Sequence, residues 1–376
     1  MSRTILLAVV ICAACAAAAN ADVFNMGGTF NSTTGTWTGL ASLSFVTVGD
    51  PGNAPDVNLD SNGNPEGSVG YTYQMGTYDV TAAQYCQFLN AVAKTDTYGL
   101  YNSNMAGGPG SQACGINQTG SPGSYQYNTI SGYSVNNGNF PVNYVSWGDA
   151  ARFCNWLANG QPTTGVENLT TTENGSYYLN GATSNAALMS VSRQAGANYV
   201  IPTENEWYKA AYYKGGGTNA GYWVYPTKSN TAPINTLPDT GNHANFYDYY
   251  GTGNGGYTDP TNYLTVVGAF AASPGPYGTY DMGGDVFQWN EANIYDDNIV
   301  RGLRGGSFSS FGYVNSLGLF HDDDLLQAAN WLYGTPTAEG EMGFGFGFRV
   351  AEVPEPASMA FLALGGLALL RRRKTQ

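Results

Sequence analysis

The sequence predicts an α+β fold with few helices, short strands and long ordered loops. Three observations carry this. Only three stretches join a capping box to an apolar helical face, the strand candidates are short and scattered, and 51 of the 376 residues are Gly. At 43% hydrophobic and 14% aromatic residues, the chain has the means to bury a core and is not a disordered acidic tail.

Taken along the chain, strands are expected at 43–48 and 70–78. Thr81 and Gln84 then open a helix over 82–93, a hydroxyl at the N-cap answered by an amide three residues on. Tyr85, Phe88, Leu89 and Val92 share its inner face. Ser146 and Asp149 open 147–158, with Phe153, Cys154 and Leu157 inward. Thr203 and Glu206, just after Pro202, open 204–213, which carries Trp207, Ala210 and Ala211. Further strands are expected at 300–303 and 346–351. Turn signals such as Pro51-Gly52, Asn62-Gly63, Asn137-Gly138 and Asp239-Thr240-Gly241 punctuate the rest. No repeat or linker divides 45–351, which reads as one domain, while the Gly- and Thr-rich stretch 22–44 reads as an N-terminal extension.

Charge is scarce. Charged residues make up 11% of the chain, against roughly 25% in an average soluble protein. A net charge of −13 with 14 Lys plus Arg excludes a nucleic-acid partner, which requires a basic footprint. Two histidines, His243 and His321, exclude a three-His metal centre. Cys86, Cys114 and Cys154 follow the first 21 residues. Burial as small hydrophobes is the reading for Cys86 and Cys154, with a disulfide between them as the alternative.

Both ends read as addresses. Arg3, the apolar run 5–19 and Ala19-Asn20-Ala21 form a secretory signal peptide over 1–21. At the other end, Val353-Pro354-Glu355-Pro356 precedes the apolar run 357–370 and Arg371-Arg372-Arg373-Lys374. Fourteen residues at 1.5 Å rise reach about 21 Å, short of the ~30 Å hydrocarbon core. The segment 352–376 resembles the PEP-CTERM sorting tail of bacterial exported proteins. That resemblance implies recognition by envelope sorting machinery, only transient membrane contact, and delivery to the envelope or exterior. A plain single-span anchor is the alternative. Between the two ends, 22–354 keeps 9 basic and 26 acidic residues.

Three motifs invite a chemical reading and lack its context. Gly251-Thr252-Gly253-Asn254-Gly255-Gly256 matches a dinucleotide fingerprint but has neither a strand before it nor a helix after it. Asp322-Asp323-Asp324 lacks the alternating ligands of a calcium loop. Ser307, Ser309 and Ser310, with His321, lack a nucleophile elbow.

Six ordered segments are more specific. These are 75–90, 140–157, 201–211, 277–291, 301–308, which contains Gly305-Gly306-Ser307, and 347–351, which opens on Gly347-Phe348-Arg349. Together they resemble the formylglycine-generating enzyme (sulfatase-modifying factor) family across 45–351. The resemblance implies a C-type-lectin-like variant fold. It also implies an oxidase that converts a sulfatase cysteine to formylglycine on copper held by two thiols. Those thiol positions fall here on Ser310 and Asn315, hard ligands for a soft Cu(I) ion, so copper is not expected. A related iron-dependent activity requires three histidines, which this sequence lacks. The expected role is therefore non-catalytic binding, to glycan or protein, with a diverged oxidase as the alternative. The resemblance further implies calcium at Asp281, the carbonyls of Gly284 and Val286, and Gln288, with a second set at Asn245 and the carbonyl of Phe246. Arg301, Arg304 and Arg349 are expected to be buried against acids such as Glu204 or Glu206.

Overall fold

All three capping boxes close in both directions. At the first, Thr81 Oγ1 accepts from the Gln84 N–H at 3.3 Å and Gln84 Oε1 accepts from the Thr81 N–H at 2.8 Å. The helices that follow are α1 (Ala82–Val92), α2 (Trp147–Ala158) and α4 (Glu204–Tyr212). A short α3 (Asn185–Met189), capped by Ser184 alone, was not foreseen. The computed structural model describes residues 29–31, 36–38, 43–133, 137–249, 251, 253–296, 298–310, 324–337 and 344–354. The expected signal peptide, Asn315, His321, Asp322, Asp323 and the tail from Glu355 lie outside these residues.

The strands are short. β1 (Thr29–Asn31) and β2 (Thr36–Thr38) form a hairpin inside the expected extension. One antiparallel sheet has the order β3-β4-β12-β7, from β3 (Phe45–Val48), β4 (Tyr73–Gly76), β7 (Tyr199–Val200) and β12 (Ala351–Glu352). A hairpin of β5 (Ile116–Thr119) and β6 (Gln126–Thr129) lies between α1 and α2 in sequence. The second sheet, mixed, has the order β10-β9-β8-β11, built from β8 (Phe287–Asn293), β9 (Arg301–Arg304), β10 (Leu332–Gly334) and β11 (Phe346–Gly347). β11 runs parallel to β8, and the remaining pairs in this sheet are antiparallel. The single strand expected at 346–351 is therefore two. It leaves one sheet at Gly347 and enters the other at Ala351, so residues 348–350 tie the sheets together.

The core follows the predicted faces. Tyr85 and Phe88 of α1 meet Phe153 and Trp156 of α2, with ring centroids 5.3–6.2 Å apart for Tyr85–Phe153, Phe88–Phe153 and Phe88–Trp156. Phe348, from the tie between the sheets, packs on Phe153 at 5.3 Å. Trp147, Trp156, Trp207 and Trp289 are all fully buried. Cys86, Cys114 and Cys154 are buried and free, which corrects the disulfide alternative: these thiols fill space.

Two carboxylates, the half-buried Asp96 and the buried Glu167, shape the loop after α1. Asp96 accepts from the Leu100 and Tyr101 N–H groups at 2.7 and 3.3 Å, and Glu167 from those of Thr97 and Tyr98 at 3.0 and 2.8 Å. Burial pushes Asp96 up to about 6 and Glu167 up to about 7, in spite of these hydrogen bonds. A raised carboxyl binds protons more readily folded than unfolded, so its contribution to stability is present at acid pH and lost as pH rises through the folded value. Thermal melts should therefore show a fall between pH 5 and pH 8 that is smaller in Glu167→Gln than in the wild type. Parallel pH profiles would refute this origin.

Candidate functional site

Two glycine turns lie at one end of the mixed sheet, one just before β8 and the other just after β9. Gly284 has φ +83 and passes so close to the chain at Asn245 that a Cβ would lie 2.3 Å from the Asn245 carbonyl oxygen. Gly305, with φ +95, passes the Met282 carbonyl as closely, at 2.6 Å for a Cβ. Side chains are excluded at both points. The Gly284 N–H donates to the Gly305 carbonyl at 2.7 Å and the Phe308 N–H to the Asp285 carbonyl at 2.8 Å, joining the two turns.

The second turn carries the serines. Ser310 Oγ accepts from the Ser307 N–H at 2.7 Å, and Ser307 Oγ lies 3.1 Å from Ser309 Oγ and 3.3 Å from Ser310 Oγ. Ser307 and Ser310 are both buried. Tyr257, Tyr263 and Phe344 wall the turn through Phe308, with Tyr263 at 6.1 Å and Phe344 at 5.8 Å from its ring. At the first of the two implied thiol positions the hydroxyl thus closes its own turn, and the second, Asn315, lies outside the described residues. The three thiols are elsewhere in the core, where burial pushes Cys86 up to about 12 and Cys114 up to about 11. They stay protonated at neutral pH and are poor ligands or nucleophiles.

The residues implied for calcium divide into two groups. Asp281 Oδ2 accepts from the Gly268 N–H at 2.6 Å, and the Asp281 carbonyl accepts from Gln288 Nε2 at 2.7 Å. Gln288 Oε1 takes both Trp207 Nε1 at 2.7 Å and the Arg349 guanidinium at 3.1 Å. Asp281 Oδ2, the Asp281 carbonyl and Gln288 Oε1 thus already accept hydrogen bonds, one of them from a guanidinium. Gly284 and Val286 flank Asp285 in the turn above it. At the second set, Asn245 donates to the Tyr263 carbonyl at 2.9 Å and to Asp285 Oδ1 at 3.1 Å, while Asn245 Oδ1 is buried with no partner. The Phe246 carbonyl accepts from Asn235 Nδ2 at 3.0 Å. Burial, with Asp281 close by, holds the Asp285 carboxyl well above its ordinary range, although Thr265 donates to it. Asn245 Oδ1, on an amide whose nitrogen faces the buried Asp285, is an unused oxygen of the kind a cation takes, whereas Gln288 Oε1 is shared with a guanidinium. Among the described residues no three His, Cys, Asp or Glu side chains gather as a metal cluster.

The other sequence motifs have structural partners. Asp248 fills the glycine-rich loop itself, accepting from the Gly251, Gly253 and Gly255 N–H groups at 2.8, 2.6 and 3.0 Å. The amides that would cradle a phosphate hold a carboxylate of the same chain. His243 is buried, with Nδ1 2.7 Å from the Thr236 carbonyl.

The arginines are the frame of the site. Arg349, fully buried, donates to the carbonyls of Gly76 and Tyr280, each at 2.6 Å, and lies 3.3 Å from Asp79. Arg304 pairs with Glu204 at 2.6 Å, as expected, and also with Glu66. Glu206 instead pairs with Arg193, at 2.9 Å. Arg301 has carbonyl partners at Glu291 and Val191, at 2.8 and 2.7 Å, and lies 4.2 Å over the Trp147 ring. Glu66 and Arg193 lie in none of the motif segments, and Asp79, inside 75–90, has its partner far along the chain at Arg349.

The chain matches the family model of the sulfatase-modifying factor enzyme 1-like domain over residues 15–352. It matches the PEP-CTERM protein-sorting motif over residues 352–374. No curated protein matches it. Among solved structures it is similar to Treponema denticola variable protein 1, at 19% identity and TM-score 0.48, over 84% of this chain and 96% of that one. It is similar to CarF at 18% identity and TM-score 0.46, over 83% and 98% of the two chains. It is also similar to PvdO from Pseudomonas aeruginosa at 16% identity and TM-score 0.41, over 83% and 92%.

Removing one member of a buried ion pair strands the other and costs about 3–5 kcal/mol. Arg349→Met should accordingly destabilise the protein by about that amount in urea unfolding, and adding Asp79→Asn should restore part of the loss. Additive losses in the double variant would show that the two side chains do not act as a pair.

Proposed function

The chain belongs to the sulfatase-modifying factor enzyme 1-like family, and from that premise we propose a non-catalytic binding or structural role at the cell envelope or in the extracellular matrix. Its PEP-CTERM tail marks it as an exported protein handled by the exosortase sorting system. The observation that carries the non-catalytic reading is Ser310. At the first implied thiol position stands a buried hydroxyl that accepts a hydrogen bond from its own turn, and the sequence puts Asn315 at the second. Neither side chain is a soft thiolate, so neither suits Cu(I). What remains is an acidic, aromatic-rich scaffold whose chemistry suits recognition of a glycan or a protein.

The decisive assay incubates the purified protein with copper and a Cys-x-Pro-x-Arg peptide and weighs the product. An unchanged peptide mass is expected. Aldehyde formation would overturn the non-catalytic reading and return the protein to the oxidases.

Calcium belongs to this reading at Asn245 and the Phe246 carbonyl, where Asn245 Oδ1 offers an unused oxygen. A ligand at 100 times its Kd adds about 2.7 kcal/mol to folding. Millimolar calcium should therefore raise the melting temperature by several degrees, with reversal by EGTA and loss of the rise in Asn245→Ala. Identical melts with calcium and EGTA would mean that hydrogen bonds alone hold these loops.

A further inference from the structure

A cleft of about 290 Å³ opens between the start of α4, the end of β8 and the loop at 60–66. Asp60, Glu66, Glu204, Glu291 and Asp296 line it, with Trp331 as an aromatic wall. It is distinct from the serine turn and from both sets of implied calcium ligands. Arg304, the one cation in its lining, is fully committed: it pairs with Glu66 and Glu204 and donates to the Ala328 carbonyl at 2.9 Å and to that of Asn330. Glu291 is answered from behind by Arg193 at 3.1 Å. The lining therefore keeps an excess of negative charge.

The floor supplies an independent observation. Glu66 is 1% exposed, and its Oε2 is buried with no hydrogen-bond partner. Burial, opposed by Arg304 and reinforced by Glu204, pushes its carboxyl up to about 8, so at neutral pH it holds a proton in the empty cleft that a bound cation would displace. A buried carboxyl oxygen without a partner is costly, and a cationic ligand donor that releases the proton relieves it. Beside it, Trp331 stands 5.6 Å from Tyr295 and 6.2 Å from Tyr333, and both tyrosines are exposed. Aromatic faces next to carboxylates suit an organic cation, through cation–π attraction and charge-assisted hydrogen bonds. The carboxylates line the cleft without gathering into a metal cluster among the described residues, which favours a multi-donor organic cation over a bare dication. A neutral sugar would leave the negative field uncompensated.

We propose that this cleft binds a primary-ammonium or guanidinium group, from a small amine or from a Lys or Arg side chain of a partner protein. Glu66 Oε2 is the buried acceptor, and Trp331 is the aromatic wall. The assignment goes beyond the envelope role and does not depend on whether the serine turn is inert.

Calorimetric titration of the full chain tests it. The probes are spermidine, Nα-acetyl-lysine amide and Nα-acetyl-arginine amide, with Nα-acetyl-norleucine amide, methyl glucoside and calcium as comparisons. At least one cationic probe should bind, more weakly at high salt, and the norleucine amide should not. Spermidine alone points to a free amine as the source, and the amino-acid amides to a side chain. Glu66→Gln should weaken binding about tenfold or more. Trp331→Ala, at the half-buried wall, should weaken it roughly threefold or more and keeps the test open should Glu66→Gln fail to fold. No binding of any cationic probe, equal binding of the norleucine amide, a response to methyl glucoside or calcium alone, or unchanged affinity in Trp331→Ala would overturn the proposal.

Discussion

Arg349 is the constraint on which the rest of this structure depends. It sits at the middle of the short segment that leaves the mixed sheet at β11 and enters the antiparallel sheet at β12. From there it binds the Gly76 carbonyl at the end of β4, the Tyr280 carbonyl, the Gln288 amide of β8 and the Asp79 carboxylate. Few side chains could do this. A guanidinium has five donors in a fixed fork and keeps its charge when buried, so one residue can satisfy acceptors from several directions. Arg304 and Arg301 repeat the device at β9, gathering carbonyls from loops that have no ladder to join. In a chain with so little regular structure, buried arginines do work that longer strands do elsewhere.

This explains how much of the fold could be read beforehand. The three capping boxes are local, with donor and acceptor three residues apart, and they set the helix starts as expected. β8 is the longest strand and escaped notice, because Phe287, Gln288, Trp289 and Asn290 are all buried. A strand with both faces covered and polar side chains satisfied by long-range partners shows no alternation to detect. The β5–β6 hairpin, with strands Ile-Asn-Gln-Thr and Gln-Tyr-Asn-Thr, is similarly mute. The break at 348–350 is invisible for a different reason: Phe348 and Val350 continue an alternating apolar pattern across Arg349 while the sheet changes.

The site residues divide along the same line. The serine turn and the calcium-implied positions were found because they lie in contiguous motifs. Glu66 lies outside those motifs, and Asp79 and Asp285 lie within them, but the roles of all three come from residues tens or hundreds of positions away. The glycine-rich loop shows the converse. Its pattern is that of a phosphate cradle, yet Asp248 from the same chain occupies the amides. A backbone nest selects an anion by geometry and is indifferent to whether that anion comes from solvent or from three residues upstream.

The burial of the arginines has a consequence for an exported protein. Between residues 22 and 354 the only arginines are Arg152, Arg193, Arg301, Arg304 and Arg349. Four of these are buried, Arg193 is held in two ion pairs, and Lys209 is buried on the Asp50 carbonyl. Only Lys94, Lys214 and Lys228 stand exposed on the folded surface. A protease that cuts after basic residues therefore finds few footholds until the chain unfolds. The side chains that join the two sheets are among those withheld from digestion, so folding and resistance to such a protease rest on overlapping residues.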